Sequence, residues 1–254
     1  MASDILLVIP AFYEARRLPA YLGELAATLS TAKFETEILI VDDGSSPDEQ
    51  RSLLQALTPG KFGACRIVEP ILLPENRGKG HAIIHGWRSG GDARFYCFVD
   101  ADGAIPAREV LRLLDMATCD VSLNPPCLWA SRMPKPGRTV NRNPWRHLLS
   151  RVFAHVVSAF IQTRVYDNQC GFKIIPRRCY GKIASLLQEA RFCFDIELLL
   201  AVRHVGTTIV EVPIDWRDVE GGHVHAVRDG MAMLSRLQAI RSRAKSWPKM
   251  DSPG

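Results

Sequence analysis

The sequence has no run of about 18 apolar residues, so no segment of it predicts a membrane-spanning helix. It has no basic leader either, since Met1, Ala2, Ser3 and Asp4 run directly into a short apolar stretch. These two absences predict a cytoplasmic protein and leave peripheral contact with the inner face of a membrane as its only membrane role. No CxxC pair and no cysteine–histidine zinc spacing occurs among the seven cysteines, which lie between Cys65 and Cys193. An odd, scattered set of this kind reads as reduced thiols. The Walker spacing GxxxxGK[ST] is missing, which disfavours ATP hydrolysis. Internal repeats and low-complexity tracts are absent as well. The basic residues near the end of the chain are not interleaved with aromatics, so nucleic acid is not an expected partner.

What is present suits one large α/β domain: 254 residues, 47% hydrophobic and 23% charged, can bury a substantial core. The expected division is a single domain over 1–243 and a basic, disordered tail over 244–254. The net charge of +5 is unevenly spread. Arg228, Arg236, Arg241, Arg243, Lys245 and Lys249 face almost no acid except Asp229, an asymmetry that predicts an anionic neighbour.

Apolar runs over 5–9, 37–41 and 95–99 predict strands buried on both faces, and a further strand is expected over 66–73. Leu18, Leu22, Leu25 and Leu29 recur at helical spacing. A helix is expected over 48–57, capped by a serine with Pro47 at its first position, and another carries Ala82, Ile83, Gly86 and Trp87. Strands alternating with helices at this interval predict an open, mostly parallel, Rossmann-like sheet with helices on both faces and ligands at the strands' carboxyl ends. The second half reads as a mobile loop over 134–144, an amphipathic helix over 145–162 and a strand over 170–175. Helices over 177–187 and 194–205, a strand over 208–214 and a last helix over 231–243 follow.

Three strands end in polar residues that one crevice can collect. Asp100-Ala101-Asp102 closes the strand over 95–99, and two carboxylates one residue apart can hold Mg²⁺ or Mn²⁺ against a diphosphate. Asp42-Asp43-Gly44-Ser45 closes another strand: acidic side chains there can accept hydrogen bonds from a nucleobase or ribose, and Gly44 lets backbone come close. A capping and loop role for 42–46 is the alternative. Glu14 lies just beyond Pro10 at the end of the first strand. In Asn76-Arg77-Gly78-Lys79-Gly80, glycines flank Lys79 ahead of a helix, an arrangement that can set backbone amides and one positive charge near phosphate. Asp195 and Glu197 stand among apolar neighbours in FCFDIELLL, where a carboxylate needs a partner or a purpose. Asp195 can face the sugar or acceptor, or it can cap its helix.

The strings VIPAFYEARRL, ILIVDDGSS, NRGKGHA and FVDADGA, in this order, resemble the nucleotide-sugar domain of family-2 glycosyltransferases with the GT-A fold. YDNQCGFKIIP, FCFDIELLL and VEVPIDW followed by EGG are similar to the dolichyl-phosphate β-glucosyltransferase and polyprenyl-phosphate glycosyltransferase branch. The resemblance implies that Pro10, Phe12, Glu14 and Asp42 surround the nucleoside, and that Asp100 and Asp102, with Ala101 between them, serve metal and diphosphate. Tyr13 stands where the family often has Asn, and Ala104 stands where mannosyl members carry a glutamine, as in the glucosyl branch. Arg132, after Ser131, falls where relatives bind the acceptor phosphate. Arg146 and Ser150 match their Arg-x-x-x-Ser pair, and His223 matches a basic residue set against the diphosphate.

The activity so implied is inverting transfer of a sugar, glucose by the branch resemblance, from a nucleotide sugar such as UDP-glucose to a polyprenyl or dolichyl phosphate. Asp102 and Asp195 are the expected catalytic residues, Asp195 or Glu197 serving as base if the acceptor is a hydroxyl. A soluble acceptor, such as a secondary metabolite or a small phosphate, is the main alternative, and a sugar-nucleotide binding protein without turnover is the distant one. Met231, Met233, Leu234, Leu237 and Ile240 make an apolar face on the last helix, whose arginines can meet anionic lipid. An ordinary helix packed on the sheet with a solvated basic face is the other possibility.

Overall fold

A computed structural model of the chain describes residues 3–57, 59–141, 165–219 and 226–248, with the backbone alone at 141 and 226–235. The first apolar run forms β1 (Ser3–Ala11), in which every residue from Ile5 to Ile9 is inaccessible to solvent. A strand covered on both sides needs apolar side chains at successive positions. The same reason accounts for β2 (Thr36–Asp42) and β6 (Ala93–Val99).

These strands are the centre of a nine-stranded sheet that includes β3 (Gly60–Phe62), β4 (Cys65–Ile67), β5 (Ile71–Leu72), β7 (Cys127–Ser131), β9 (Phe172–Pro176) and β10 (Ile209–Pro213). The order is β10-β7-β9-β6-β1-β2-β4-β3, with β5 also on β2. Neighbours run parallel except β9, which is antiparallel to β6 and β7, and β3, which is antiparallel to β4. Ala11 lies beside Asp42 and Val99 beside Phe172. The carboxyl ends of β1, β2 and β6 and the amino end of β9 therefore open on one rim.

Alternate residues of β1 serve two cores, as the pleat requires. Ile5, Leu7 and Ile9 pack with α1 (Leu18–Leu29), with Leu53 of α2 (Pro47–Ala56) and with α4 (Ala107–Cys119). Leu6 and Val8 face α3 (Lys79–Ser89), α5 (Arg177–Ile183), α6 (Phe194–His204) and α7 (Ala226–Ser246). The start of α2 is as expected: Ser46 is its N-cap and accepts from the Glu49 amide at 3.4 Å, with Pro47 following.

Several boundaries differ from the sequence expectation. The strand over 66–73 is broken into β4 and β5, because Pro70 lies between them and has no N–H to give a ladder. The loop expected over 134–144 contains β8 (Val140–Asn141), which pairs with β11 (Trp216–Arg217) in a separate two-stranded sheet. Asp215 accepts from the Thr139 amide at 2.8 Å beside that pair. The helix over 145–162 lies outside the described residues. The helix begun at Arg177 stops at Ile183, before Leu187.

The last helix is longer than 231–243 and runs through Ser246, so residues 244–246, read as the start of a tail, are helical. Its end is seated on α6: the Trp247 and His204 rings meet edge-on at 5.3 Å, and His204 Nε2 lies 2.8 Å from the Pro248 carbonyl. Leu237 and Ile240 are buried in the core, so this part of the expected membrane-facing stripe packs inward.

Candidate active site

The β6 ladder continues one residue past the strand, because the Asp100 amide donates to the Gly171 carbonyl at 2.9 Å. A Cβ on Gly171 would stand 2.0 Å from Asp100 Oδ2, so the carboxylate lies directly against that glycine. Asp100 Oδ1 accepts from Lys79 Nζ at 2.7 Å. Asp102 Oδ1 accepts from the Ala104 amide at 2.9 Å. Burial, and then the neighbouring charge of Asp100, hold the Asp102 carboxyl above its ordinary pKa. Burial alone would lower the Lys79 pKa, but the charges of Asp100 and Asp195 outweigh it and raise the net value, so the ammonium stays protonated.

Lys79 opens α3, and the loop before it is fixed by Asp43, which accepts from the amides of Arg77 at 3.2 Å and Gly78 at 2.6 Å. Burial raises the Asp43 pKa, and these two amides oppose the rise. His81 Nδ1 lies 3.8 Å from the same carboxylate, and burial lowers the imidazole's pKa. Gly44 has φ 74°, and a Cβ there would fall 2.1 Å from the Glu75 carbonyl carbon. It lets the β2 loop press on the loop that carries Lys79. Asp42 is fully buried: it accepts from Ser45 N at 2.9 Å, Ser45 Oγ at 2.6 Å and Gln50 Nε2 at 2.9 Å. These bonds fix Asp42 in the turn that closes β2, on the same rim.

The β1 loop joins the same rim. The Tyr13 amide donates to Ser45 Oγ at 2.9 Å, and Tyr13 itself has φ 56°, an unusual conformation for a residue with a side chain. Phe12 and Tyr13 meet edge to face at 4.8 Å. Glu14 is buried and accepts from Arg17 Nε at 2.9 Å, while its charge contributes to the raised Asp102 pKa. Pro10 lies opposite Val41 in the ladder below. Pro10, Phe12, Glu14, Asp42, Gly44, Lys79, Asp100, Ala101 and Asp102 are thus gathered along adjoining strand ends and the start of α3.

Asp195 lies in the first turn of α6 and does not cap it. It is ion-paired with Lys173, a fully buried residue of β9 that also donates to the Cys170 carbonyl at 3.0 Å. Its second oxygen is 3.9 Å from Lys79 Nζ. Lys173 is absent from the site expected from sequence. The signal was a lysine inside an apolar strand together with a carboxylate inside an apolar helix, each of which requires a partner.

Arg132 is held bidentately by Asp167, with Nε and Nη2 both at 2.7 Å, and its guanidinium lies 5.5 Å over the Trp216 ring. The opposing carboxylate overcomes burial and raises the Arg132 pKa further. Glu197 belongs elsewhere: it is fully buried, pairs with Arg243 at 2.7 Å and accepts the amides of Gln188 and Glu189. Arg146, Ser150 and His223 lie outside the described residues.

The donor set fits a hard divalent cation. Asp102 offers a carboxylate destabilised by burial and by a like charge, which a cation would relieve. Asp100 would share its oxygens with Lys79. Among the described residues no three His, Cys, Asp or Glu side chains converge, so the remaining ligands would come from diphosphate oxygens and water.

Residues 6–183 match the family model "Glycosyl transferase family 2". Human dolichyl-phosphate beta-glucosyltransferase is 29% identical over 255 residues, spanning 95% of this chain and 76% of the relative. The Drosophila melanogaster protein of the same name is 30% identical over 226 residues, spanning 86% and 68%. Among solved structures, glucosyl-3-phosphoglycerate synthase from Mycobacterium tuberculosis, in complex with Mn²⁺, uridine diphosphate and phosphoglyceric acid, superposes with a TM-score of 0.64 at 16% identity. That superposition covers 98% of this chain and 80% of the other, and the shared fold is GT-A. The matched segment contains the strand ends and loops that bear Glu14, Lys79, Asp100 and Asp102, and the chain belongs to glycosyl transferase family 2.

Proposed function

We propose that the protein is an inverting glycosyltransferase that moves glucose from UDP-glucose to a polyprenyl or dolichyl phosphate with Mg²⁺ or Mn²⁺. The observation that carries this reading is the cluster of Lys79, Asp100 and Asp102 at the mouth of the sheet, one ammonium between the start of α3 and two carboxylates. It suits a ligand that brings both a diphosphate and a cation. The names of the relatives support the acceptor class and the sugar.

The acceptor phosphate has a second pKa of about 6 and is mostly a dianion at neutral pH, so it attacks without a general base. A new bond forms between its oxygen and the anomeric carbon as the bond to the diphosphate oxygen breaks, and the electron pair leaves with the nucleoside diphosphate. A single displacement inverts the anomeric centre. A cation held by Asp102 with Asp100 would supply Lewis-acid stabilisation of the departing diphosphate. Lys79 adds a fixed positive charge beside it. Asp195, set between Lys173 and Lys79, orients Lys79 in this reading and does not take a proton. Phe12, Glu14 and the Gly44 turn line the nucleoside side, and Arg132 approaches the acceptor phosphate from the end of β7. Membrane contact, in this reading, is peripheral and made by the outward side of α7.

The test is incubation of the purified chain with UDP-glucose and Mn²⁺, offering polyprenyl phosphate in one arm and water-soluble phosphates in another. Transfer to the lipid phosphate with a β-anomeric product is expected, together with loss of turnover in chelator. Transfer to soluble phosphates alone would replace the acceptor. Undiminished turnover in chelator by a variant with Asp100→Asn and Asp102→Asn would overturn the mechanism.

A further inference from the structure

The C-terminal helix reaches the site through two buried carboxylates. Arg236 Nη1 is 2.8 Å from Glu189 Oε1, and Arg243 Nη2 is 2.7 Å from Glu197 Oε1. Glu197 faces both ways: its other oxygen, Oε2, accepts the amides of Gln188 at 2.7 Å and Glu189 at 2.6 Å. The segment 188–191 is therefore gripped from α7 and α6 together.

That segment in turn presses on the start of α3. The His81 amide donates to the Ala190 carbonyl at 2.9 Å. A Cβ on Gly78, whose φ is 111°, would lie 2.6 Å from the Ala190 oxygen, and one on Gly80 would lie 2.3 Å from the Glu189 oxygen. Two successive carbonyls are thus packed where only glycine admits them, on either side of Lys79. The contacts run without a gap from α7 to the residue that holds Asp100.

We infer that α7 braces the diphosphate loop: Arg236 and Arg243, acting through Glu189 and Glu197, set residues 189–190 and with them Gly78 to His81 and the Lys79 ammonium. The role in donor binding rests on the nucleotide-sugar reading above; the brace itself does not. Both arginines are positioning residues, since neither touches the strand-end carboxylates. Without its arginine, a buried glutamate is left uncompensated and must reorganise toward water, carrying the 188–191 backbone with it. The inward pairing also alters the picture of α7 as a helix whose basic face is solvated, because two of its arginines are already committed.

The test uses the full chain with Arg236→Gln and Arg243→Gln made singly, Arg243→Lys as the charge-conserving variant, and Lys245→Gln as an exposed control on the same helix. Hydrogen exchange of the His81 amide is read without substrate, with β1 amides as the measure of global stability. The Gln variants are expected to speed His81 exchange on the order of tenfold, with β1 unchanged and partial recovery in Arg243→Lys. They should also lower kcat/KM for UDP-glucose on the order of tenfold, with kcat falling as well because Lys79 stands beside the departing diphosphate, and with partial recovery in Arg243→Lys and none of this loss in Lys245→Gln. His81 and β1 exchange rising together would mean general destabilisation and would overturn the brace, as would no change at His81. If the wild type turns over no nucleotide sugar, the functional reading fails, and the exchange data alone decide the brace.

Discussion

Lys173 on β9 and Asp195 on α6 form an ion pair in which the lysine has no exposed surface. The ammonium also lies 4.8 Å from the centre of the Trp129 ring and 5.3 Å from that of Phe98, and Lys79 Nζ lies 5.1 Å from the centre of the same Phe98 ring. Charge alternates from Lys173 through Asp195 and Lys79 to Asp100, so a structural pair deep under the sheet is continuous with the rim.

Removing Lys173 leaves the buried Asp195 with only the more distant Lys79, 3.9 Å away and already shared with Asp100, and breaking a buried pair costs about 3–5 kcal/mol. Lys173→Met is expected to lose that much in urea denaturation, and Lys173→Met with Asp195→Asn to recover part of it. A single-variant loss below about 1 kcal/mol would mean that the pair is not what holds β9 to α6.

Gly171→Ala tests the placement of Asp100. The added methyl would occupy the space of Asp100 Oδ2, 2.0 Å away, so the carboxylate must leave its place beside Lys79. Misplacement by about 1 Å costs on the order of 10²-fold in rate. Steady-state turnover should fall by roughly that factor in Gly171→Ala, and wild-type kinetics in this variant would show that Asp100 has no positional role.

The carboxylate of Asp102 opposes stability at the place where the proposed reading puts the cation. Its carboxyl pKa is raised in the folded chain, first by burial and then by Asp100, so the native state binds this proton more tightly than the unfolded state does. The penalty is absent below the ordinary carboxylate range, sets in as pH rises through it, and is complete above the raised pKa. At neutral pH in chelator, Asp102→Asn should therefore melt higher than the wild type, by about 2–4 °C for each kcal/mol relieved. Added Mn²⁺ should raise Tm in the wild type and not in the variant. The reverse order in chelator would show that the Asp100 and Asp102 charges are already compensated.

The legible parts of the fold are those whose physics is local. β1, β2 and β6 are written as unbroken apolar runs because they are covered on both faces, and the start of α2 is written in Ser46 and Pro47. The helix α4 and the strand β7 went unforeseen, although Val110, Leu113, Leu114 and Ala117 carry the helical period behind Pro106. The three acidic strand ends do meet on one rim, which follows from parallel order. Their partners are not local: Lys173 finds Asp195 across 22 positions, and Arg132 finds Asp167 across 35. Side-chain pairing across such distances depends on the register of β9, which runs against the neighbours on both its sides. The partners of Asp42 come from the turn it closes and from Gln50 on α2, so its place on the rim follows from local sequence.

The proposed membrane contact and the proposed brace fall on different basic residues of α7. Arg236 and Arg243 point to Glu189 and Glu197 and are partly shielded, whereas Lys245 is exposed. A lysine near an anionic bilayer contributes about 1 kcal/mol, or roughly fivefold in binding, and this contribution vanishes as salt shortens the Debye length. Flotation with vesicles containing phosphatidylserine should accordingly weaken roughly fivefold in Lys245→Gln at low salt. Arg236→Gln should leave it nearly unchanged, because that charge is already neutralised by a buried carboxylate. Equal losses in the two variants would mean that Arg236 leaves Glu189 for lipid, and kcat/KM for the donor would then fall when vesicles are added to the wild type. Binding that ignores both substitutions and salt would place any membrane contact outside this helix.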